Sequence, residues 1–236
     1  MKIEVLYPEI CCLFGDKANM RYFEMCLPEA EFIKTPVSEM PRFLEEDVDM
    51  VYFGSCSESN QERILSRLKG HEERIRELIN KGVIFLMTGN TFEIMGNFIK
   101  TPDGEKIEGL GILDFYSERT IPKRNNSLFL GKFGDMEIVG YTSRFSHSYD
   151  IKSNDAFIDV VKGYGSYIDA KTEGVKMNNL YGTYLLGPFL IQNPLFTEYL
   201  IKQLGVKEPK LAFKDEIMKA YDVRLKEFKR DIVFAE

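Results

Sequence analysis

The stretch Val83-Ile84-Phe85-Leu86-Met87-Thr88-Gly89-Asn90-Thr91-Phe92-Glu93-Ile94-Met95-Gly96 decides how this chain is read. The apolar run Val83 to Met87 has the composition of a buried strand. Thr88-Gly89-Asn90-Thr91 breaks it, and Phe92 to Met95 follow as a short helix. Strand, sharp turn and helix in so few residues give the outline of a nucleophile elbow. In such an elbow a Ser or Cys is held at a strained backbone angle, where a helix N-terminus stabilises an anion. Here the turn holds Gly89, which has no side chain to react. Glycine also relieves a backbone strain that costs other residues about 1–3 kcal/mol. The turn is therefore expected to keep its backbone, with Gly89 at a positive φ.

The sequence before this stretch alternates strand and helix signals. Lys2 to Tyr7 reads as a strand, Asn19 to Cys26 as a short helix, Glu31 to Lys34 and Asp49 to Phe53 as strands, and Gln61 to Lys81 as helix broken at Gly70. That order predicts a parallel sheet with right-handed crossovers. After the elbow the grain changes. Phe98 to Ile107 folds back on a Pro-Asp-Gly turn, Leu128 to Phe133 and Glu137 to Tyr141 flank Gly134-Asp135 as a second hairpin, and Phe157 to Val161 and Gly174 to Met177 add strands. A helix starts near Asn193-Pro194, with Asn as cap and Pro in the first turn, and a charged amphipathic helix covers Lys214 to Phe228. The expected organisation is one α/β domain over residues 1–205 with a C-terminal helical appendage, 206–236.

Composition narrows the function. With 44% hydrophobic and 29% charged residues, the 236-residue chain matches an ordinary soluble globular protein. A net charge of −6 gives no basic face for nucleic acid. No segment approaches the roughly 20 apolar residues that span a bilayer, and the sequence opens directly on a strand, so no membrane association and a cytoplasmic location are expected. The four cysteines, Cys11, Cys12, Cys26 and Cys56, have no C-x-x-C spacing and only two histidines to help them, which argues against a zinc site and for reduced, mostly buried thiols. No metal and no cofactor are expected.

Four ordered segments resemble a known family. Leu6-Tyr7-Pro8 followed by Leu13-Phe14-Gly15-Asp16-Lys17-Ala18-Asn19 is similar to the "LYP…LYGDRGN" opening of class I glutamine amidotransferases of the cobyric acid synthase type. Gly89 to Gly96 stands where that family reads C-G-G-Y-Q-L-L-G. Thr101-Pro102-Asp103-Gly104 with Glu108 to Tyr116 is the third segment. Tyr181-Gly182-Thr183-Tyr184-Leu185-Leu186-Gly187-Pro188 is the fourth, where the family reads Y-G-T-Y-L-H-G-P. The last two look most like the amidotransferase subunit of lipid II isoglutaminyl synthase, which frees ammonia from glutamine for a Mur-ligase-like partner. The resemblance implies a flavodoxin-like, mostly parallel sheet flanked by helices, with added hairpins and a C-terminal helix.

The same resemblance implies a site with both active groups gone. In the family a Cys thiolate attacks the glutamine side-chain amide while a His assists and protonates the departing ammonia. Those positions are Gly89 and Leu186 here. The loop Gly54-Ser55-Cys56 departs from the family's triple glycine, whose N–H groups face the oxyanion; Ser55 and Cys56 crowd that approach.

Other residues carry alternatives. Cys56 and His147 are a relocated thiol–imidazole pair, or else a buried structural thiol and a surface-loop imidazole. Lys123 and Arg124 fall where the family holds the glutamine carboxylate, or are solvated loop charges. Glu93 is an ordinary helix residue or a charge in the pocket, and Asn90 belongs to the remnant pocket beside it. Three functions remain open on sequence: a pseudoenzyme acting through a Mur-ligase-like partner or a copy of itself, an active enzyme using Cys56, and a small-molecule sensor that does not hydrolyse its ligand.

Overall fold

The computed structural model describes residues 1–230 and 232–235. Its first half runs β1 (Lys2–Leu6), α1 (Lys17–Cys26), β2 (Glu31–Thr35), β3 (Met50–Phe53), α2 (Glu58–Leu68), α3 (Glu72–Asn80) and β4 (Ile84–Thr88). β1 pairs in parallel with β2 and β3, and β3 with β4. β3 and β4 are buried throughout, because helices cover both faces of this part of the sheet. Alternate residues divide between two cores. Leu6, Phe53, Phe85 and Met87 pack with Ile64, Leu68, Ile75 and Ile79 of α2 and α3. Ile3, Val5, Tyr52 and Leu86 pack with Phe23 of α1 on the other side. Gly70, at φ +86°, ends the α2 segment where the helical pattern breaks.

The second half comprises β5 (Phe98–Lys100), β6 (Lys106–Glu108), β7 (Tyr116–Arg119), β8 (Asn125–Phe133), β9 (Met136–Arg144), β10 (Ser146–Tyr149), β11 (Ala156–Lys162), β12 (Thr172–Met177), β13 (Leu180–Thr183), α4 (Phe189–Gln192), α5 (Pro194–Gln203) and α6 (Lys214–Phe228). The main sheet has nine strands in the order β2-β1-β3-β4-β13-β12-β11-β8-β9. It is parallel as far as β13 and antiparallel beyond. β10-β7-β5-β6 form a second, four-stranded sheet.

Two details depart from the sequence reading. The segment after β4 is a 3-10 helix from Gly89 to Met95, with no separate turn before a helix at Phe92. Asn193 does precede Pro194 at the start of α5, but its side chain makes no cap. It bonds instead to the backbone of β9, accepting from Val139 N at 2.8 Å and donating to Val139 O at 2.9 Å.

α6 lies on β8 and β9. Tyr221 packs with Leu130 and Val139, and its hydroxyl donates to Glu137 O at 2.7 Å. Leu211 and Ile217 join the core on the α1 side of the sheet.

Candidate amidotransferase-like site

The site is built on the loops after β1, β3 and β4, all at the carboxyl ends of parallel strands. Gly89 follows β4 directly and has φ +69°. A Cβ placed on it would stand 2.3 Å from Ser55 Cβ and 3.5 Å from Leu186 Cδ2. The two positions at which the resemblance removes a nucleophile and a base are therefore neighbours, and Ser55 takes the space a side chain at position 89 would need. Ser55 is held there firmly. Its hydroxyl donates to Leu13 O at 2.9 Å, and its N–H donates to the Asp16 carboxylate. Asp16 is buried and also accepts from Thr88 Oγ1 at 2.9 Å and Asn19 Nδ2 at 3.2 Å; burial pushes its pKa up to about 6. Gly54 has its own steric reason, since a Cβ there would meet Cys11 O at 2.3 Å.

A cavity of about 170 Å³ opens in front of this cluster. Ser55, Cys56, Gly89, Asn90, Arg124 and Leu186 are on its wall, whereas Gly54, Glu93, Lys123 and His147 are not. Arg124 donates to Ser143 Oγ at 3.1 Å and lies 4.1 Å over the Phe145 ring. Lys123 is exposed away from the cavity.

Cys56 is 4% exposed, with its N–H on Asn90 Oδ1 at 3.2 Å. A hydrogen bond with the Cys11 thiol, together with burial, pushes its pKa well above the usual thiol range. A thiol so placed stays protonated at neutral pH and is a poor nucleophile.

His147 is not on a surface loop. It sits on β10, paired opposite Glu118 of β7, and is 6% exposed. Its Nδ1 has no hydrogen-bond partner among the described residues, and burial lowers its pKa to about 4.

Glu93 does not face the cavity. It is 1% exposed behind the elbow and accepts from Gln61 Nε2 at 2.7 Å, Tyr184 Oη at 2.7 Å and Ser146 Oγ. Burial raises its pKa. A second buried acid, Glu173 of β12, accepts from Thr183 Oγ1 and Tyr184 N, both at 2.7 Å, and burial pushes it up to about 7.

Between these acids lies Arg144, on the cavity wall, which sequence reasoning did not single out. Its guanidinium is 3.9 Å over the Tyr184 ring and donates to Gly165 O; burial lowers its pKa. No alternation marked it in the sequence: Thr142, Ser143 and Arg144 are all buried at the end of β9, with Tyr141 exposed before them. Among the described residues no group of His, Cys, Asp and Glu stands close enough to hold a metal ion. No helix there is long and apolar enough to cross a membrane.

An α/β sheet with an elbow at the end of β4 and facing loops after β1 and β3 defines a class. The chain belongs to the CobB/CobQ-like glutamine amidotransferase domain family, which matches residues 2–194. It is 29% identical over 167 residues to subunit GatD of the glutamine-hydrolyzing lipid II isoglutaminyl synthase of Staphylococcus aureus (strain N315), covering 71% of this chain and 68% of that one. To the same subunit of Streptococcus pneumoniae (strain ATCC BAA-255 / R6) it is 27% identical over 245 residues, covering 96% and 92%. Its fold is similar to that of a glutamine amidotransferase from Thermotoga maritima, with a TM-score of 0.50 at 11% identity over 98% of this chain and 91% of that one.

Proposed function

We propose that this chain is a glutamine amidotransferase-like protein that has lost glutamine hydrolysis and acts through a protein partner. The observation that carries the reading is the filled elbow. The space that a reactive side chain at position 89 would need is taken by Ser55, and Leu186 stands where a proton carrier would assist it. Neither glycine nor leucine forms a thioester or moves a proton. Cys56 is disfavoured as a relocated nucleophile by its raised pKa and by its place beside Cys11. The two similar GatD subunits belong to an enzyme that hydrolyses glutamine. With the sequence resemblance, this supports a Mur-ligase-like enzyme in the cytoplasm as the partner, ahead of a second copy of the chain.

The test is ammonia release from glutamine, with and without a co-expressed Mur-ligase-like protein, joined to mass spectrometry after treatment with diazo-oxo-norleucine. No ammonia and no adduct are expected. Adduct on Cys56 together with glutamine turnover would establish the relocated thiol and overturn the proposal.

A further inference from the structure

The parallel half of the sheet reverses its winding between β1 and β3. The crossover through α1 places β2 on one side of β1, while β3 and β4 lie on the other. Connections diverge at such a point and open a crevice outside the carboxyl ends of the strands, the usual ligand position in open α/β sheets. Beside that crevice, between α1 and the faces of β1, β2 and β3, lies a cavity of about 510 Å³, against about 170 Å³ at the elbow. Its size falls within the roughly 300–1,000 Å³ of small-molecule sites.

The lining has two parts. Val5, Pro8, Met20 and Tyr52 give an apolar floor, and Lys17, Arg21 and Lys34 bring positive charge to the rim. Glu24 also lines the cavity but is taken by Lys34, at 2.7 Å. Lys17 and Arg21 are exposed and form no ion pair or side-chain hydrogen bond among the described residues. They are four residues apart on α1, so two like charges share one helix face, a mildly destabilising arrangement that an anion would relieve. In a chain of net charge −6, cations gathered over an apolar hollow create a local field of opposite sign to the whole.

We propose that this cavity binds a small molecule with a flat apolar body and an attached phosphate, the chemistry of a nucleoside monophosphate or an aryl phosphate. The body lies on Val5, Pro8, Met20 and Tyr52, and the phosphate on Lys17 and Arg21. The site is separate from the elbow and does not depend on whether hydrolysis is lost.

The probe is anilinonaphthalene sulfonate, which joins an aromatic body to an anion, titrated into the full chain by fluorescence. Saturable binding is expected, about tenfold weaker in the double variant Lys17→Gln/Arg21→Gln, two charge contacts each being discounted for exposure. It should be unchanged in Lys210→Gln, at a separate apolar hollow beside Cys26 and Leu27. All three substitutions are at the surface, and circular dichroism checks that the fold is kept. AMP should displace the probe at lower concentration than adenosine or inorganic phosphate does. Equal affinity in the double variant, weakening by Lys210→Gln, or displacement by adenosine or phosphate as effective as by AMP would each overturn the site.

Discussion

At the scale of single residues, Gly89 and Ser55 behave as one unit. A side chain at position 89 meets both a positive φ and the Ser55 Cβ at 2.3 Å, so Gly89→Cys alone should destabilise the protein by about 2–4 kcal/mol. Adding Ser55→Gly should recover part of that loss, with a coupling of about 1–3 kcal/mol between the two sites. Urea unfolding of the wild type, both singles and the double measures it, and additivity within about 0.5 kcal/mol would show that the two residues do not compete for space.

A second expectation concerns Glu173. Its pKa is raised from 4.5 to about 7 in the fold. A raised acid binds its proton more tightly when folded, so its stabilisation is complete below the unfolded pKa and is lost as pH rises through about 7. Glu173→Gln stays neutral throughout. The stability of wild type relative to this variant should therefore rise on going from pH 8 to pH 5, by on the order of 3 kcal/mol at most. A flat difference would mean the carboxylate is not desolvated. His147 slopes the other way, since its pKa is lowered to about 4, and comparison with the variant cancels it.

At the scale of elements, legibility followed the apolar pattern. β1, β3, β4 and α1 to α3 were plain in the sequence because strands buried on both faces read as apolar runs and their helices as apolar stripes. β7, β10 and β13 were not. Tyr-Ser-Glu-Arg and Ser-His-Ser-Tyr carry no apolar alternation, since part of what they bury is polar: Ser117 and Ser148 bond to each other at 2.8 Å between the two strands. β13 hides behind Gly182, where a Cβ would stand 2.5 Å from Phe92 Cβ, so close packing requires the residue that weakens the strand signal. The elbow and its two altered positions were legible by resemblance. Arg144 and Glu173 were not, because satisfying buried charge depends on strands distant in sequence. α6 illustrates the energetic side. Tyr221→Ala removes a buried ring from Leu130 and Val139 and a hydrogen bond to Glu137, and should cost about 2–4 kcal/mol by urea unfolding. A loss under about 0.5 kcal/mol would mean that α6 is not docked in solution.

At the scale of the whole molecule, the proposed loss of hydrolysis carries an expectation for glutamine binding in the elbow cavity. Ser55 and Leu186 occupy the elbow end of its wall, where an amide would lose water with few partners, while Asn90, Arg124, Ser143 and Arg144 line the rest. Each unpartnered group costs about 1–3 kcal/mol, so two such losses would take a micromolar site to roughly millimolar. Calorimetry with millimolar glutamine should therefore show no binding heat, and a constant below about 0.1 mM would favour the sensor. The sheet order has a further consequence, for the growing chain. β4 gains its second neighbour, β13, only after roughly 90 more residues have been made. At ribosomal speed that is on the order of 5–20 s. Throughout it, the apolar run Ile84 to Met87 lies on an uncovered edge, the kind that pairs with a neighbouring chain. The order of synthesis, more than final stability, sets the interval in which nascent copies are most prone to associate.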